Sequence, residues 1–140
     1  MKILMAVDGS AHSKRTIAYV KEHLNFFGKG TSITVINAQM ALPPHVAGRF
    51  SKENIQTYYQ DAYEAVMKPM RRALNAAGLE FTEVLKVGMP GDEIADLAKR
   101  GKYDMVVMGS HGHSLFRNLV LGSVATKVLA ACTVPVLIIR

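Results

Sequence analysis

Strand-like and helix-like stretches alternate along the whole chain, and this alternation restricts the fold more than any other feature. Five short apolar stretches with strand-like composition occupy residues 2–7, 31–39, 80–87, 103–108 and 134–139. Amphipathic patterns with helical spacing separate them. Such alternation is typical of α/β proteins, whose helices cover both faces of a mainly parallel sheet. The sequence therefore predicts a three-layer, doubly wound, five-stranded sheet formed by one domain over residues 1–140.

Two of the strands carry features of sheet edges. Residues 80–87 alternate apolar and polar side chains, which predicts one wetter face. Pro135 cannot donate a hydrogen bond to a neighbouring strand, so the last strand is also expected at an edge.

Local signals predict where the helices begin and end. Ser10 is positioned to cap a first helix that continues to Phe27 and stops before Gly28. Pro69 interrupts a longer helical pattern and is expected to kink or split that helix.

The composition argues against several classes of protein. The net charge of +6 is spread along the chain without a basic block, so nucleic-acid binding is not expected, although an anionic small ligand would suit it. No apolar run approaches the roughly 20 residues needed to span a bilayer, so no membrane association is expected. The single cysteine, Cys132, and the lack of a signal-peptide pattern predict a cytoplasmic protein.

The strongest functional signal is a set of three glycines before the last helix. They follow the spacing Gly109-x2-Gly112-x9-Gly122-Ser123, and the fourth strand ends at Gly109. Glycine lets a ligand approach the backbone closely and permits positive φ. A helix that begins near Gly122 would present unpaired N–H groups and the positive end of its dipole. The pattern favours a phosphate-binding loop, and the alternative is that the glycines are simple turn residues.

Asp8 lies at the carboxyl end of the first strand. In an open parallel sheet, ligands bind beyond the carboxyl ends of the strands where the strand order reverses. If the first and fourth strands are neighbours at the reversal, Asp8 and the glycine loop share one crevice. The carboxylate could then accept from a ribose or base donor or hold Mg²⁺ through water, or it could serve only a turn with Gly9 and Ser10.

Three motifs resemble those of the universal stress protein family, in the subclass that binds ATP. Val7-Asp8-Gly9-Ser10 matches the end of the family's N-terminal strand. The glycine spacing matches its nucleotide signature, Gly-x2-Gly-x9-Gly-(Ser/Thr). Val134-Pro135-Val136-Leu137 matches its closing strand. The motifs occur in the family's order, and the resemblance covers the whole chain.

The resemblance implies a Rossmann-like sheet of the adenine nucleotide alpha hydrolase type, with strand order 3-2-1-4-5. It also implies ATP as the ligand, with Mg²⁺ as an open addition. The residues implicated in binding are Asp8, Val35, Asn37, Ala38, Met89, Met108, Gly109, Gly112, His113, Gly122, Ser123 and Val124. The family further implies a homodimer whose last strands pair antiparallel through Val136 to Ile139, which would cover an apolar edge.

One loop residue departs from the family pattern. Relatives often carry Arg or Lys directly after the second glycine, whereas this chain carries His113. A neutral imidazole offers less charge to a triphosphate, although a phosphate neighbour would favour its protonated form. Arg117 is a candidate to supply the missing charge, and the choice among ATP, ADP and AMP stays open. His111 and His113 have no third ligand nearby in sequence, so a metal site is not expected.

The function implied is that of a nucleotide-binding regulatory protein of the stress response with little or no turnover. The chain has no Gly-x-Ser-x-Gly elbow, and neither Ser10 nor Ser110 has an obvious partner base in the sequence. Asp8-Gly9-Ser10-Ala11 also differs from the Ser-Gly-Gly-x-Asp-Ser loop of ATP-pyrophosphatase-type ligases. A slow ATPase and a nucleotide-independent interaction dimer are the alternatives.

Overall fold

The computed structural model describes residues 1–113 and 120–140. The strands are β1 (Lys2–Ala6), β2 (Ser32–Met40), β3 (Phe81–Gly88), β4 (Met105–Gly109) and β5 (Val136–Ile139). The helices are α1 (Ala11–Glu22), α2 (Leu24–Phe27), α3 (Pro44–Ala47), α4 (Lys52–Ala76), α5 (Pro90–Arg100) and α6 (Ser123–Ala131). In the described part of the chain, no helix is both long enough and apolar enough to cross a membrane.

The strands form one sheet in the order β3-β2-β1-β4-β5. Every neighbouring pair is parallel, from Ile3 opposite Ile33 to Val107 opposite Leu137. The predicted fold class and strand order are therefore confirmed, and β3 and β5 occupy the two edges as expected. Because β1 lies between β2 and β4, the strand order reverses beside its carboxyl end.

Side chains of β1 point alternately to two apolar layers, as strand geometry requires. Ile3 and Met5 face the layer covered by α1 and α4, where Ile17, Met67 and others are buried. Leu4 and Ala6 face the opposite layer, which includes Ile94 of α5 and Val128 of α6. A strand that is buried on both faces needs the continuous apolar sequence found here.

The long helix α4 runs without a break from Lys52 to Ala76, so the expected split at Pro69 does not occur. Proline costs the helix one hydrogen bond and crowds the preceding turn. Four side chains on both sides of Pro69 are buried against the sheet, namely Tyr63, Met67, Met70 and Leu74. Tertiary packing on both halves offsets the local cost of the proline.

The first helix ends earlier than its pattern predicts. α1 stops at Glu22, His23 caps it with φ −112° and ψ 23°, and α2 begins at Leu24. The interruption leaves Leu24 at the surface while Phe27 is only 2% exposed. An uninterrupted helix to Phe27 was therefore the wrong expectation, because the packing of Phe27 takes precedence over helix continuity.

Candidate functional site

A cavity of about 250 Å³ opens at the carboxyl ends of β1 and β4, where the strand order reverses. Its lining comes from the ends of β1, β2 and β4, the starts of α5 and α6, and the loop that follows β4. Nine of the twelve residues implicated from the sequence line it: Asp8, Ala38, Met108, Gly109, Gly112, His113, Gly122, Ser123 and Val124. The fold thus brings together segments that are more than 100 residues apart in the sequence.

The structure does not bring the side chains of the other three residues into this cavity. Val35 is fully buried in the layer beneath α1 and α4, and Asn37 Nδ2 donates to the Val7 carbonyl at 2.9 Å. Both lie on the face of β2 opposite to Ile36 and Ala38, which do line the cavity. Ile36 lies in the implicated stretch from Val35 to Ala38 but was not named as a binding residue, although the two-residue period of a strand would have paired it with Ala38.

Met89 precedes α5 as its N-cap residue, and its side chain is 56% exposed. The next residue, Pro90, contributes to the cavity wall instead. The turn after β3 therefore reaches the site through the first residue of α5.

The three signature glycines are required by close approach, because none of them has positive φ. A Cβ added to Gly109 would lie 2.6 Å from the Cβ of His12 on α1. A Cβ on Gly112 would collide with Asp8 Oδ2, and one on Gly122 would lie 3.2 Å from His111 Cα. The glycines therefore allow close packing of the loop against α1, Asp8 and His111, and the positive φ that glycine permits is not used at these three positions.

The start of α6 supplies hydrogen-bond donors to the cavity. Gly122 is the N-cap residue with φ −71°, it offers no side-chain cap, and its carbonyl accepts from Thr126 N at 3.0 Å. The N–H groups of Ser123, Val124 and Ala125 come before this first helical bond and so have no partner within the helix. All three residues line the cavity, which therefore faces the positive end of the α6 dipole.

Asp8 combines a local structural role with a place in the cavity wall. Its Oδ1 accepts from Ser10 N at 2.9 Å and from the Ser13 hydroxyl at 2.8 Å. The turn with Ser10 that was considered from the sequence therefore exists. The other oxygen, Oδ2, is directed at Gly112, so the missing side chain of that glycine makes room for it.

The imidazole rings of His12 and His111 contact Ser110 in the loop that follows β4. The Ser110 hydroxyl lies 3.0 Å from His111 Nδ1 and 3.4 Å from Nδ1 of His12, and the two rings are 5.4 Å apart. Burial, followed by the charges of Arg15 and His111, lowers the pKa of His12, and the Asp8 carboxylate opposes this shift. The view that Ser110 has no partner base was wrong, because His12 reaches it from a helix 98 residues away in sequence.

Ser110 itself is only 1% exposed and does not line the cavity, so its hydroxyl serves the packing of the loop. His113 lies at the rim, where its Nε2 is 2.7 Å from the Asp8 carbonyl and donates to it in the Nε2–H tautomer. Arg117, the other candidate for phosphate charge, lies outside the described residues.

Comparison with known proteins settles the family. The model of the universal stress protein family matches residues 1–140. The chain belongs to the universal stress protein family. A relative in Thermus aquaticus, named as the universal stress protein in the QAH/OAS sulfhydrylase 3′ region, is 32% identical over 138 residues, or 99% of this chain and 97% of the relative.

Solved structures of universal stress proteins have the same fold. MJ0577 of Methanocaldococcus jannaschii superposes with a TM-score of 0.79 at 23% identity, with 99% of this chain and 94% of that chain covered. The universal stress protein of Archaeoglobus fulgidus in complex with dAMP gives a TM-score of 0.69 at 26% identity, with 100% and 98% covered. The family predicted from the three sequence motifs is therefore confirmed.

In this universal stress protein, the described residues contain no group of three or more His, Cys, Asp or Glu side chains that could hold a metal ion. The ionisable side chains among the described lining residues are Asp8, His111 and His113. The polar groups of the described lining residues therefore include backbone donors, the hydroxyls of Ser13 and Ser123, one carboxylate and two imidazoles.

Proposed function

We propose that this protein binds an adenine nucleotide in the cavity between β1, β4 and α6 and acts as a regulatory protein of the stress response. The observation that carries the proposal is that the first three N–H groups of α6, which have no partner within the helix, belong to residues that line the same cavity as Asp8. A helix start of this kind binds anions, and phosphate suits it well. The relative from Archaeoglobus fulgidus, solved with dAMP, supports an adenine nucleotide as the ligand class.

The remaining walls of the cavity suit a nucleoside. Ile36 and Ala38 of β2 and Ile94 of α5 provide apolar surface at the side away from the glycine loop, and Pro90 and Met108 extend it. Ligand sites commonly combine such apolar walls with a few polar groups that orient the ligand. We therefore place the base and ribose against β2 and α5 and the phosphates at the start of α6, with ATP, accompanied by Mg²⁺, as the proposed physiological ligand.

We propose that turnover is slow or absent. The Asp8 Oδ1 atom is engaged by two hydrogen bonds, and the Ser110 hydroxyl is buried between imidazoles. An oxygen that already accepts two hydrogen bonds is poorly placed as a general base, and a buried hydroxyl is poorly placed as a nucleophile. Slow ATP hydrolysis is the alternative, and single-turnover measurements with ATP would reveal it. The cytoplasmic location stays a prediction.

Calorimetric titration with ATP and AMP tests nucleotide binding, and an Ala38→Phe variant tests whether the nucleotide binds in this cavity. Micromolar affinity, about −8 kcal/mol, is expected for the unmodified protein. The larger side chain should fill the apolar part of the cavity and weaken binding at least tenfold. Ala131→Phe, at the exposed end of α6, is the matched control and should leave affinity unchanged. Absence of heat and of a thermal shift in unmodified protein freed of copurified nucleotide would refute the proposal.

We also propose a homodimer formed by antiparallel pairing of β5. Val106 N donates to the Pro135 carbonyl and Ser110 N to the Ile139 carbonyl, so odd-numbered residues of this segment bond to β4. Backbone groups of Val136 and Ile138 then point away from β4, toward the edge of the sheet. Such an apolar edge is a template for pairing with another strand.

Sedimentation velocity tests the homodimer. The unmodified chain should sediment as a dimer, and Ile138→Pro, which removes one outward donor, should give a monomer that still binds nucleotide. A monomeric unmodified chain at all concentrations would contradict the dimer. A dimer that survives the substitution would place its interface elsewhere.

A further inference from the structure

We infer that His111 and His113 are the side chains that neutralise the bound phosphate, so that phosphate binding takes up a proton. The inference rests on the proposed nucleotide site and adds a dependence on pH to it. It concerns the phosphate end only, so a nucleoside without phosphate should bind without proton uptake.

Both histidines belong to the cavity onto which the start of α6 opens. Both line the cavity together with Ser123, whose N–H belongs to the first turn of that helix. The backbone of His111 packs directly on Gly122, as shown by the 3.2 Å separation of its Cα from a Cβ built there. An anion that accepts hydrogen bonds from the first turn of α6 would therefore lie beside the histidine loop.

Among the described lining residues, the two imidazoles are the side chains that can carry a positive charge. Among the described lining residues none is Lys or Arg, and Asp8 contributes a negative charge. The end of a helix dipole is worth only about half an elementary charge, whereas a phosphate monoester carries between one and two. Histidine is the side chain that ordinarily changes charge between pH 5 and 8, and an adjacent anion favours its protonated form.

The hydrogen bonds of the Ser110 hydroxyl can accommodate a proton on His111. Ser110 has one hydroxyl proton for two Nδ1 atoms, at 3.0 Å from His111 and 3.4 Å from His12. When His111 is protonated, its Nδ1–H donates to the Ser110 oxygen, and the Ser110 hydroxyl donates to a neutral His12. This arrangement satisfies every ring nitrogen that faces the serine.

The charged and titratable groups around this cluster act in opposite directions. Burial, followed by the charges of Arg15 and His111, lowers the pKa of His12 on α1, and the Asp8 carboxylate opposes this shift. The net lowering disfavours a proton on His12. The incoming proton therefore goes to His111 or to His113, which lies at the rim beside the Asp8 carbonyl.

Calorimetry in pairs of non-phosphate buffers with different ionisation enthalpies measures the protons taken up on binding. AMP is the ligand with a phosphate, and adenosine is the matched ligand without one. The ³¹P chemical shift of bound AMP separately reports protonation of the phosphate itself. We expect proton uptake with AMP, none with adenosine, and AMP affinity up to about 20-fold higher at pH 6 than at pH 8 after correction for the phosphate.

Variants assign the uptake to residues. His113→Gln and His111→Gln should each reduce the proton uptake, and the double variant should abolish it while adenosine still binds. His45→Gln is the matched control, because His45 is an exposed histidine of α3 that does not line the cavity. Circular dichroism and urea unfolding verify that each variant is folded.

Two results would overturn the inference while the nucleotide site stands. One is equal proton uptake with AMP and adenosine, and the other is unchanged uptake in the double variant. Failure of both ligands to bind the unmodified protein at any pH would instead refute the proposed function, and the inference with it.

Discussion

Replacing Gly112 with alanine tests the reason for the central glycine of the loop. The added Cβ would collide with Asp8 Oδ2 and would lie 3.6 Å from Asp8 Cγ. Asp8 cannot swing away freely, because its Oδ1 accepts hydrogen bonds from Ser10 N and from the Ser13 hydroxyl. Either these two bonds are lost or the loop moves outward and distorts the cavity.

The structure sets the size of the expected effect. A hydrogen bond to a charged group contributes about 1.5–3 kcal/mol when buried, and solvent reduces this at a half-buried carboxylate such as Asp8. We therefore expect Gly112→Ala to lower the free energy of unfolding by about 1–3 kcal/mol. AMP affinity should fall at least tenfold, or about 1.4 kcal/mol.

A double-mutant cycle with Asp8→Ala, measured by urea unfolding, isolates the clash. Without the carboxylate the alanine at position 112 has room, so its cost should shrink by about 1 kcal/mol or more. Gly30→Ala is the control, because Gly30 has φ +74° and nothing within 4 Å of its added Cβ. That variant should lose about 1 kcal/mol through backbone strain alone, equally with and without Asp8. Additive costs of Gly112→Ala and Asp8→Ala, within about 0.5 kcal/mol, would refute the steric explanation.

Three further predictions concern stability and are measured by urea unfolding. Leu74→Ala should cost about 2–5 kcal/mol because Leu74 of α4 is fully buried in the apolar core. A cost no larger than that of an exposed substitution would contradict the assigned core. Arg71 donates two hydrogen bonds of 2.7 Å to the Glu83 carboxylate and holds the pKa of Glu83 below its ordinary value. The stability that this pair contributes is therefore present above about pH 4.5 and is lost on acidification. Arg71→Met should lower stability by about 1–2 kcal/mol at pH 7 and flatten the acid limb, and an unchanged limb would speak against the pair. Because burial lowers the pKa of His12, the unfolded chain takes up a proton at this residue before the folded chain does, and stability falls as the pH drops below about 6.5. His12→Gln should therefore reduce the slope of unfolding free energy against pH between pH 7 and pH 5. An equal slope in the variant would exclude His12 as the source of the slope.

The sequence by itself determined the order of strands and helices and the family. Patterns of apolar residues with periods of two and of about 3.6 report local geometry, which depends on neighbours in the chain. The glycine spacing from Gly109 to Gly122 and the motif around Asp8 are likewise local, and the family resemblance that they carry implied nine residues that line one cavity. The edge position that was expected for the last strand is found.

Only the tertiary structure decided which side of each element faces the site. Side chains of a strand point alternately to its two faces, so a shift of one residue exchanges Val35 and Asn37 for Ile36 and Ala38. Because β2 carries apolar residues on both faces, its sequence does not indicate which face lines the cavity. The uninterrupted passage of α4 through Pro69 depends on burial along its whole length. The contact of Ser110 with His12 joins residues 98 positions apart, and the fit of Gly112 to Asp8 joins two loops. Such contacts arise from the folding of distant segments onto one another, and no local pattern encodes them.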